Sequence, residues 1–165
     1  MQLPDAEALL RELLDKIRPH VTPELGLIGI HTGGVWLAER LHRDLQLTTR
    51  LGTLDVSFYR DDFGRRGLKP EVRPSTIPFD VDGRDLLLVD DVLYTGRTIR
   101  AAMNELFDYG RPRTIRLAAL VDRGGRELPI AAQFVGVALN ISGDQSIELN
   151  RGDDGRLALA LGKAA

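Results

Sequence analysis

The sequence contains no cysteine, so its fold must stand on an apolar core without disulfide support. It also lacks any apolar run of about eighteen residues and any charged-then-apolar leader, which sets the expectation of a soluble cytoplasmic protein with no membrane partner. Charge of one sign is missing too: 22 basic and 24 acidic residues leave a net charge of −2, no global field for nucleic acid. Any RNA contact would need a local basic patch. No Gly-Lys-Ser/Thr follows a glycine-rich stretch, which excludes a Walker A loop, and no dinucleotide fingerprint is present. His20, His31 and His42 are dispersed without metal-ligand spacing. Asp80 to Gly83 and Gly152 to Gly155 lack the full ligand series of a calcium loop and read as turns. The 165 residues suit a single domain, 1–165, large enough to bury roughly two thirds of its unfolded surface.

One segment carries chemistry. Leu86 to Thr98 reads LLLVDDVLYTGRT: an apolar run, two adjacent acids, then a Thr-Gly-Arg-Thr turn. The run from Leu86 to Val89 has no polar alternation and predicts a strand over Asp85 to Val89, covered on both faces in a parallel sheet. Such sheets bind ligands at the C-terminal edges of their strands. Ile99, Ala102, Met103, Leu106 and Phe107 follow at helical spacing, with Gly110 as the stop. Thr95, Gly96, Arg97 and Thr98 therefore lead into a helix N-terminus, where amides, hydroxyls and the dipole favour a phosphate. Carboxylates beside an anion loop are consistent with a sugar phosphate, whose hydroxyls need acceptors and whose magnesium needs nearby negative charge. Asp90 and Asp91 and the loop thus address opposite ends of one ribose 5-phosphate. The competing reading, a buried strand ending in a turn with Thr95 as a helix cap, explains each element but not their order.

The remaining elements predict an open α/β sheet with helices on both faces. Pro4 and Asp5 open a helix with Leu9, Leu10, Leu13, Leu14 and Ile17 as its apolar stripe before Pro19. Leu25 to Ile30 reads as the first parallel strand, and Gly33 to Leu45 as loop plus helix with Val35, Leu37, Ala38, Leu41 and Leu45 facing inward. Leu54, Val56 and Phe58 alternate with Asp55 and Ser57, predicting a half-exposed strand that runs into Tyr59 and Arg60. Asp61 to Pro78, with Gly64, Gly67, Pro70, Pro74 and Pro78, reads as a long loop or hairpin, and loops of this length are usually functional. Strands follow at Thr114 to Val121 and Phe134 to Leu139, then a hairpin of Ser146 to Leu149 with Arg156 to Leu161. Trp36 reads as packing rather than stacking.

The segment VDDVLYTGRT resembles the PRPP motif of the type I phosphoribosyltransferases, and its wording is similar to that of the PyrR family, pyrimidine operon regulators with uracil phosphoribosyltransferase activity. The resemblance extends from about Leu27 through the final strands, over IGIHTGG at Ile28 to Gly34, LDVSFYRDD at Leu54 to Asp62 and GRPRTIRLAALVDRGGRELPI at Gly110 to Ile130. It implies a mostly parallel open sheet with a small hood and a flexible loop, Mg2+ as cofactor, and transfer from PRPP to uracil to give UMP and pyrophosphate. It also implies a homodimer or higher homo-oligomer. Asp90 and Asp91 would hold the ribose hydroxyls and the magnesium hydration shell, with no direct protein ligand to the metal. Val92, Leu93, Tyr94, Thr95, Gly96, Arg97 and Thr98 would cradle the 5-phosphate.

Thr32, Gly33 and Gly34 match the family's pyrophosphate loop. Gram-positive relatives carry Thr-Arg-Gly there, so Gly33 stands at the position of a charge-assisted contact. Arg60, in a segment with Arg65, Arg66, Lys69 and Arg73, matches the loop that closes over PRPP. Asp122, Arg123 and Gly124 match the base side of the pocket, or serve as plain turn residues. Two other readings share the motif: a nucleotide-sensing protein that binds pyrimidine operon leader RNA with little catalysis, and a purine phosphoribosyltransferase. Against RNA, the first helix sets Arg11, Lys16 and Arg18 beside Asp5, Glu7, Glu12 and Asp15, and Leu10 and Leu14 replace polar residues of Gram-positive relatives.

Overall fold

Alternation along the central strands builds the two faces of the sheet. In the computed structural model, which describes residues 1–57 and 75–164, Leu27, Leu87, Val89, Ala118 and Leu120 point to one side and Ile28, Ile30, Leu86, Leu88, Leu117 and Ala119 to the other. Because both sides are covered, neither needs polar residues, which is why these strands read as unbroken apolar runs. Helices α1 (Ala6–Ile17) and α2 (Gly33–Asp44) cover the first face, and α3 (Arg97–Tyr109) covers the second.

The strands β1 (Gly26–Ile30), β2 (Gly52–Leu54), β3 (Asp85–Leu93), β4 (Thr114–Asp122) and β5 (Phe134–Ala138) form one sheet in the order β2-β1-β3-β4-β5. Every pairing in it is parallel. The chain leaves β1 toward β2 but leaves β3 toward β4, so the winding reverses between β1 and β3. A crevice opens at the C-terminal ends of the two strands that flank such a switch point. A separate antiparallel pair, β6 (Gln145–Arg151) with β7 (Leu157–Lys163), buries Ile147, Leu149 and Leu157 in the same core as α1. It is tied to that helix by the Glu7 carboxylate, which accepts the Leu157 amide at 2.9 Å and binds Arg40 bidentately at 2.7 and 3.2 Å. The Arg40 guanidinium holds the Glu7 carboxyl below its usual range.

Several boundaries differ from the sequence reading. Strand β2 ends at Leu54, because the Asp55 carboxylate accepts the amide of Ser57 at 2.9 Å and its hydroxyl at 2.5 Å, turning the chain out of the extended form. Phe58, Tyr59 and Arg60 lie outside the described residues, as do Arg65, Arg66, Lys69 and Arg73. Of the segment expected as loop or hairpin, Thr76 returns to pair antiparallel with Thr53, each amide bonding the other's carbonyl at 2.8 Å. Strand β3 does not stop at Val89 but runs through both acids to Leu93, since β4 continues alongside as far as Asp122.

Helix α2 starts at Gly33 itself, leaving almost no loop after β1. Leu10 is fully core and Leu14 packs against the core edge. On α3, Ile99, Ala102 and Leu106 take the buried positions and Ala101 joins them, which turns Phe107 outward, 57% exposed. No helix among the described residues is long and apolar enough to cross a membrane.

Candidate active site

The crevice between β1 and β3 gathers three of the segments singled out by sequence. At the end of β3, Asp90 is buried and Asp91 half-buried. Each carboxylate is oriented by the next amide: Asp90 accepts the Asp91 N–H at 3.0 Å, and Asp91 the Val92 N–H at 2.8 Å. Across the crevice, a cis peptide joins His31 to Thr32, and Thr32 caps α2 without a side-chain bond.

Both glycines that follow are required by close approach. A Cβ on Gly33 would collide with the Asp91 carboxylate, and one on Gly34 with the Val89 carbonyl. The first turn of α2, with its outward-facing amides, is therefore pressed directly against the acid pair. Gly33, where the family resemblance leads one to expect an arginine, makes room for Asp91 by having no side chain. Thr32, Gly33 and Gly34 are thus brought to Asp90 and Asp91, and their glycine content has a packing cause independent of any ligand.

The turn from β3 into α3 forms the opposite wall. Gly96 takes a left-handed conformation, φ 94°, and caps α3 in place of Thr95. Thr95 is buried, and its hydroxyl accepts the Arg97 amide at 3.2 Å. Leu93 ends the strand in the core, Val92 is half-buried, Tyr94 and Arg97 are exposed, and Thr98 is half-buried in the first turn. The amides of a helix N-terminus, a left-handed glycine and two threonines can hold a phosphate dianion without a metal or a cationic side chain.

The loop after β4 completes the site. Asp122 ends the strand, and its carboxylate accepts the Gly124 amide at 3.0 Å. Gly124 and Gly125 both have left-handed φ, 72° and 76°. Arg123 is buried, with its guanidinium carbon 3.8 Å above the Tyr94 ring. Its Nε is sealed from solvent and has no hydrogen-bond partner among the described residues. The sequence reading stopped at Gly124 and so missed Arg126, which binds Asp122 and the phosphate loop together. The signal was present in Asp-Arg-Gly-Gly-Arg, opposite charges four residues apart around a glycine turn.

Features expected to be turns are turns. Asp80 accepts the Asp82 amide and Asp82 the Arg111 amide, at 3.0 and 2.7 Å, while Asp154 accepts the Arg156 amide at 3.0 Å. Trp36 packs at the core edge, with the Arg151 guanidinium 4.8 Å from its ring centre.

Comparison with known proteins agrees with this geometry. The family model described as Phosphoribosyl transferase domain matches residues 2–150. The chain is 53% identical over 154 residues to the bifunctional protein PyrR of Pseudomonas aeruginosa strain LESB58, covering 90% of both proteins. To the protein of that name from Pseudomonas savastanoi pv. phaseolicola it is 49% identical, with 91% of each covered. Among solved structures, a hypoxanthine phosphoribosyltransferase from Staphylococcus aureus superposes with a TM-score of 0.67 at 19% identity, over 88% of this chain and 79% of that one. A purine phosphoribosyltransferase from Pyrococcus horikoshii does so at 0.62 and 26%, over 82% of each. A switch-point crevice lined by an acid pair and two helix N-termini, in a chain with these relatives, places the protein in the PyrR family of type I phosphoribosyltransferases.

Proposed function

We propose that the phosphoribosyl acceptor is uracil, so that the protein converts uracil and PRPP into UMP and pyrophosphate. The choice of uracil is supported by the 53% identity to PyrR, and phosphoribosyl transfer by the juxtaposition of Gly33, Gly34 and Asp91 at the switch point. That juxtaposition supports a pyrophosphate site at the start of α2 and a phosphate site at the start of α3, with the carboxylates between them suited to ribose hydroxyls. Displacement at C1 builds positive charge on the ribose and negative charge on the leaving group, so the protein's work is to fix both ends and shield the centre. Asp90 and Asp91 hold the ribose 2- and 3-hydroxyls as acceptors. The Tyr94 to Thr98 turn binds the 5-phosphate with its amides and hydroxyls. Thr32, Gly33 and Gly34 receive the pyrophosphate, Arg60 helps cover it, and Asp122, Arg123 and Gly124 line the side where the base enters.

Magnesium suits this donor set. Among the described residues no group of three or more acidic, histidine or cysteine side chains could cage a metal, and a pair of carboxylates fits an ion that keeps waters and substrate oxygens as ligands. When bound with PRPP it neutralises the departing pyrophosphate. We place the reaction in the cytoplasm and assign it to a homo-oligomer, which sedimentation velocity tests.

The test of the base is pyrophosphate release from PRPP and Mg2+ with uracil, orotate, hypoxanthine, guanine and adenine supplied separately, and identification of the nucleotide formed. UMP from uracil alone is the expected result; IMP or GMP would transfer the assignment to purine salvage.

A second reading, binding of pyrimidine leader RNA, would give this chain a second role like that of its relatives, which are called bifunctional proteins. The surface of α1 gives it little support. Leu10 is buried and Lys16 donates to the Val135 carbonyl at 2.7 Å, while Arg40 of the neighbouring α2 is paired with Glu7. RNA binding would show a steep loss of affinity with added salt, and nucleotide binding would not.

A further inference from the structure

The segment after β4 is bolted onto the phosphate loop, and Arg126 is the bolt. Its guanidinium donates in three directions: Nη1 to the Tyr94 carbonyl at 2.7 Å, Nη2 to the Asp122 carboxylate at 2.6 Å, and Nε to the Ile130 carbonyl at 2.8 Å. A planar fork is required to reach all three, and an ammonium on a flexible stem cannot replace it. Further contacts follow the same seam. The Thr95 carbonyl accepts the amides of Glu127 and Leu128 at 2.9 and 3.1 Å, and the Leu93 carbonyl accepts that of Arg123 at 3.1 Å. Arg97 pairs with Glu127 at 2.8 Å. Gly125 has no room for a side chain because the Tyr94 ring lies against it. Beside the buried Arg123 stacked on the Tyr94 ring, Arg126 is the side chain that hydrogen-bonds both loops; it is 24% exposed and its acidic partner 21% exposed.

The geometry points to Arg126 as a positioning residue that locks the base-side loop to the 5-phosphate loop, so that the two ends of a nucleotide are recognised by one rigid unit. The proposal rests on the phosphoribosyl-transfer reading of the site. Arg126 touches neither the expected base position nor the phosphate. It acts through Asp122 on one side and through the Tyr94 peptide on the other. A ligand that bridges the loops, such as UMP, benefits from their fixed spacing, whereas ribose 5-phosphate engages only one of them. Loss of the lock therefore has a signature that general loosening of the fold lacks.

The experiment compares wild type, Arg126→Lys and Arg126→Ala in three measurements: binding of UMP and of ribose 5-phosphate by calorimetry, steady-state turnover with PRPP and each base, and thermal unfolding. Both variants are expected to lose affinity for UMP by about tenfold or more while ribose 5-phosphate changes by less than about threefold, and to lose roughly 10- to 100-fold in kcat, the scale expected when reacting groups are misplaced by about an ångström. Millimolar guanidinium is expected to restore part of the Arg126→Ala turnover. Equal weakening of both ligands, or wild-type behaviour of Arg126→Lys, would overturn the proposal. A wild type that binds UMP but turns over no base would sink the catalytic reading alone, and the ratio of UMP to ribose 5-phosphate affinities would still decide the role of Arg126. If wild type binds neither ligand, both fall.

Discussion

Strand β3 begins and ends with carboxylates, and the two ends handle them differently. At the start, Asp85 is closed by groups from the beginning of β4: Arg113 donates through Nε at 2.9 Å and through Nη2, and the Thr114 hydroxyl adds a bond at 2.7 Å. At the other end, Asp90 and Asp91 are steered by the amides of the residues that follow them, and the first turn of α2 is brought up against Asp91. An ion pair with side-chain partners answers the carboxylate's charge within the fold and gives structure. At the far end the half-buried Asp91 has its direction set by the Val92 amide, beside the first turn of α2. One strand thus carries a structural carboxylate at one end and the candidate site at the other, with the core between them.

The sharpest way to break this comparison is to neutralise both acids of the proposed active site. Asp90→Asn with Asp91→Asn is expected to lower PRPP-dependent turnover by about 10²- to 10³-fold, the scale for removing preorganised electrostatic groups. The midpoint of thermal unfolding should hardly move. If turnover survives, the functional end of β3 has been misassigned. Gly33→Ala comes next: its methyl group would drive Asp91 out of place, with an expected tenfold or greater loss of turnover and an overpacking cost of about 1–3 kcal/mol in urea unfolding. Normal activity in that variant would mean that the position of Asp91 is not critical. Tyr94→Leu, which removes the ring beneath Arg123, should be milder, a few-fold in turnover, as expected for a stacked cation worth about 0.5–2 kcal/mol.

Sequence made the candidate site on β3 legible because its residues are local. Asp90, Asp91 and Thr95 to Thr98 fall within one stretch of nine residues, and the apolar run before them announces the strand that carries them. The β1 loop was legible for the same reason, a glycine pair directly after an apolar strand. What escaped is long-range. That Gly33 faces Asp91 depends on β1 and β3 pairing side by side, with Gly29 opposite Val89, and that Arg126 reaches the Tyr94 carbonyl depends on how the loop after β4 folds back. The early end of β2 escaped because the alternation of Leu54, Val56 and Phe58 is a true strand signal overruled by the bonds from Ser57 to Asp55. Phe107 was expected in the core because it follows Ile99 and Leu106 at helical spacing, but the buried stripe of α3 runs from Ile99 and Leu106 through Ala102 toward Ala101, on the side of the helix away from Phe107.

The structural end of β3 offers the smallest effect and the cleanest contrast. Hydrogen bonds from Arg113, and then from Thr114, lower the Asp85 carboxyl from an ordinary 3.8 to about 2. A depressed carboxyl contributes stability that is fully present above its unfolded value and disappears as pH falls through its folded value. The Asp85 pair therefore helps the fold above about pH 4 and ceases to help toward pH 2. Arg113→Ala should unfold slightly more easily than wild type at neutral pH, with the two unfolding midpoints converging as the pH is taken from 4 to 2. The effect is small because the arginine is largely exposed and water screens the pair. Turnover at neutral pH should be unchanged, since Asp85 and the site lie at opposite ends of the strand. A parallel offset between the two proteins at every pH would show that Arg113 stabilises the fold by packing and not through Asp85; a drop in turnover would show that the two ends of β3 are not independent.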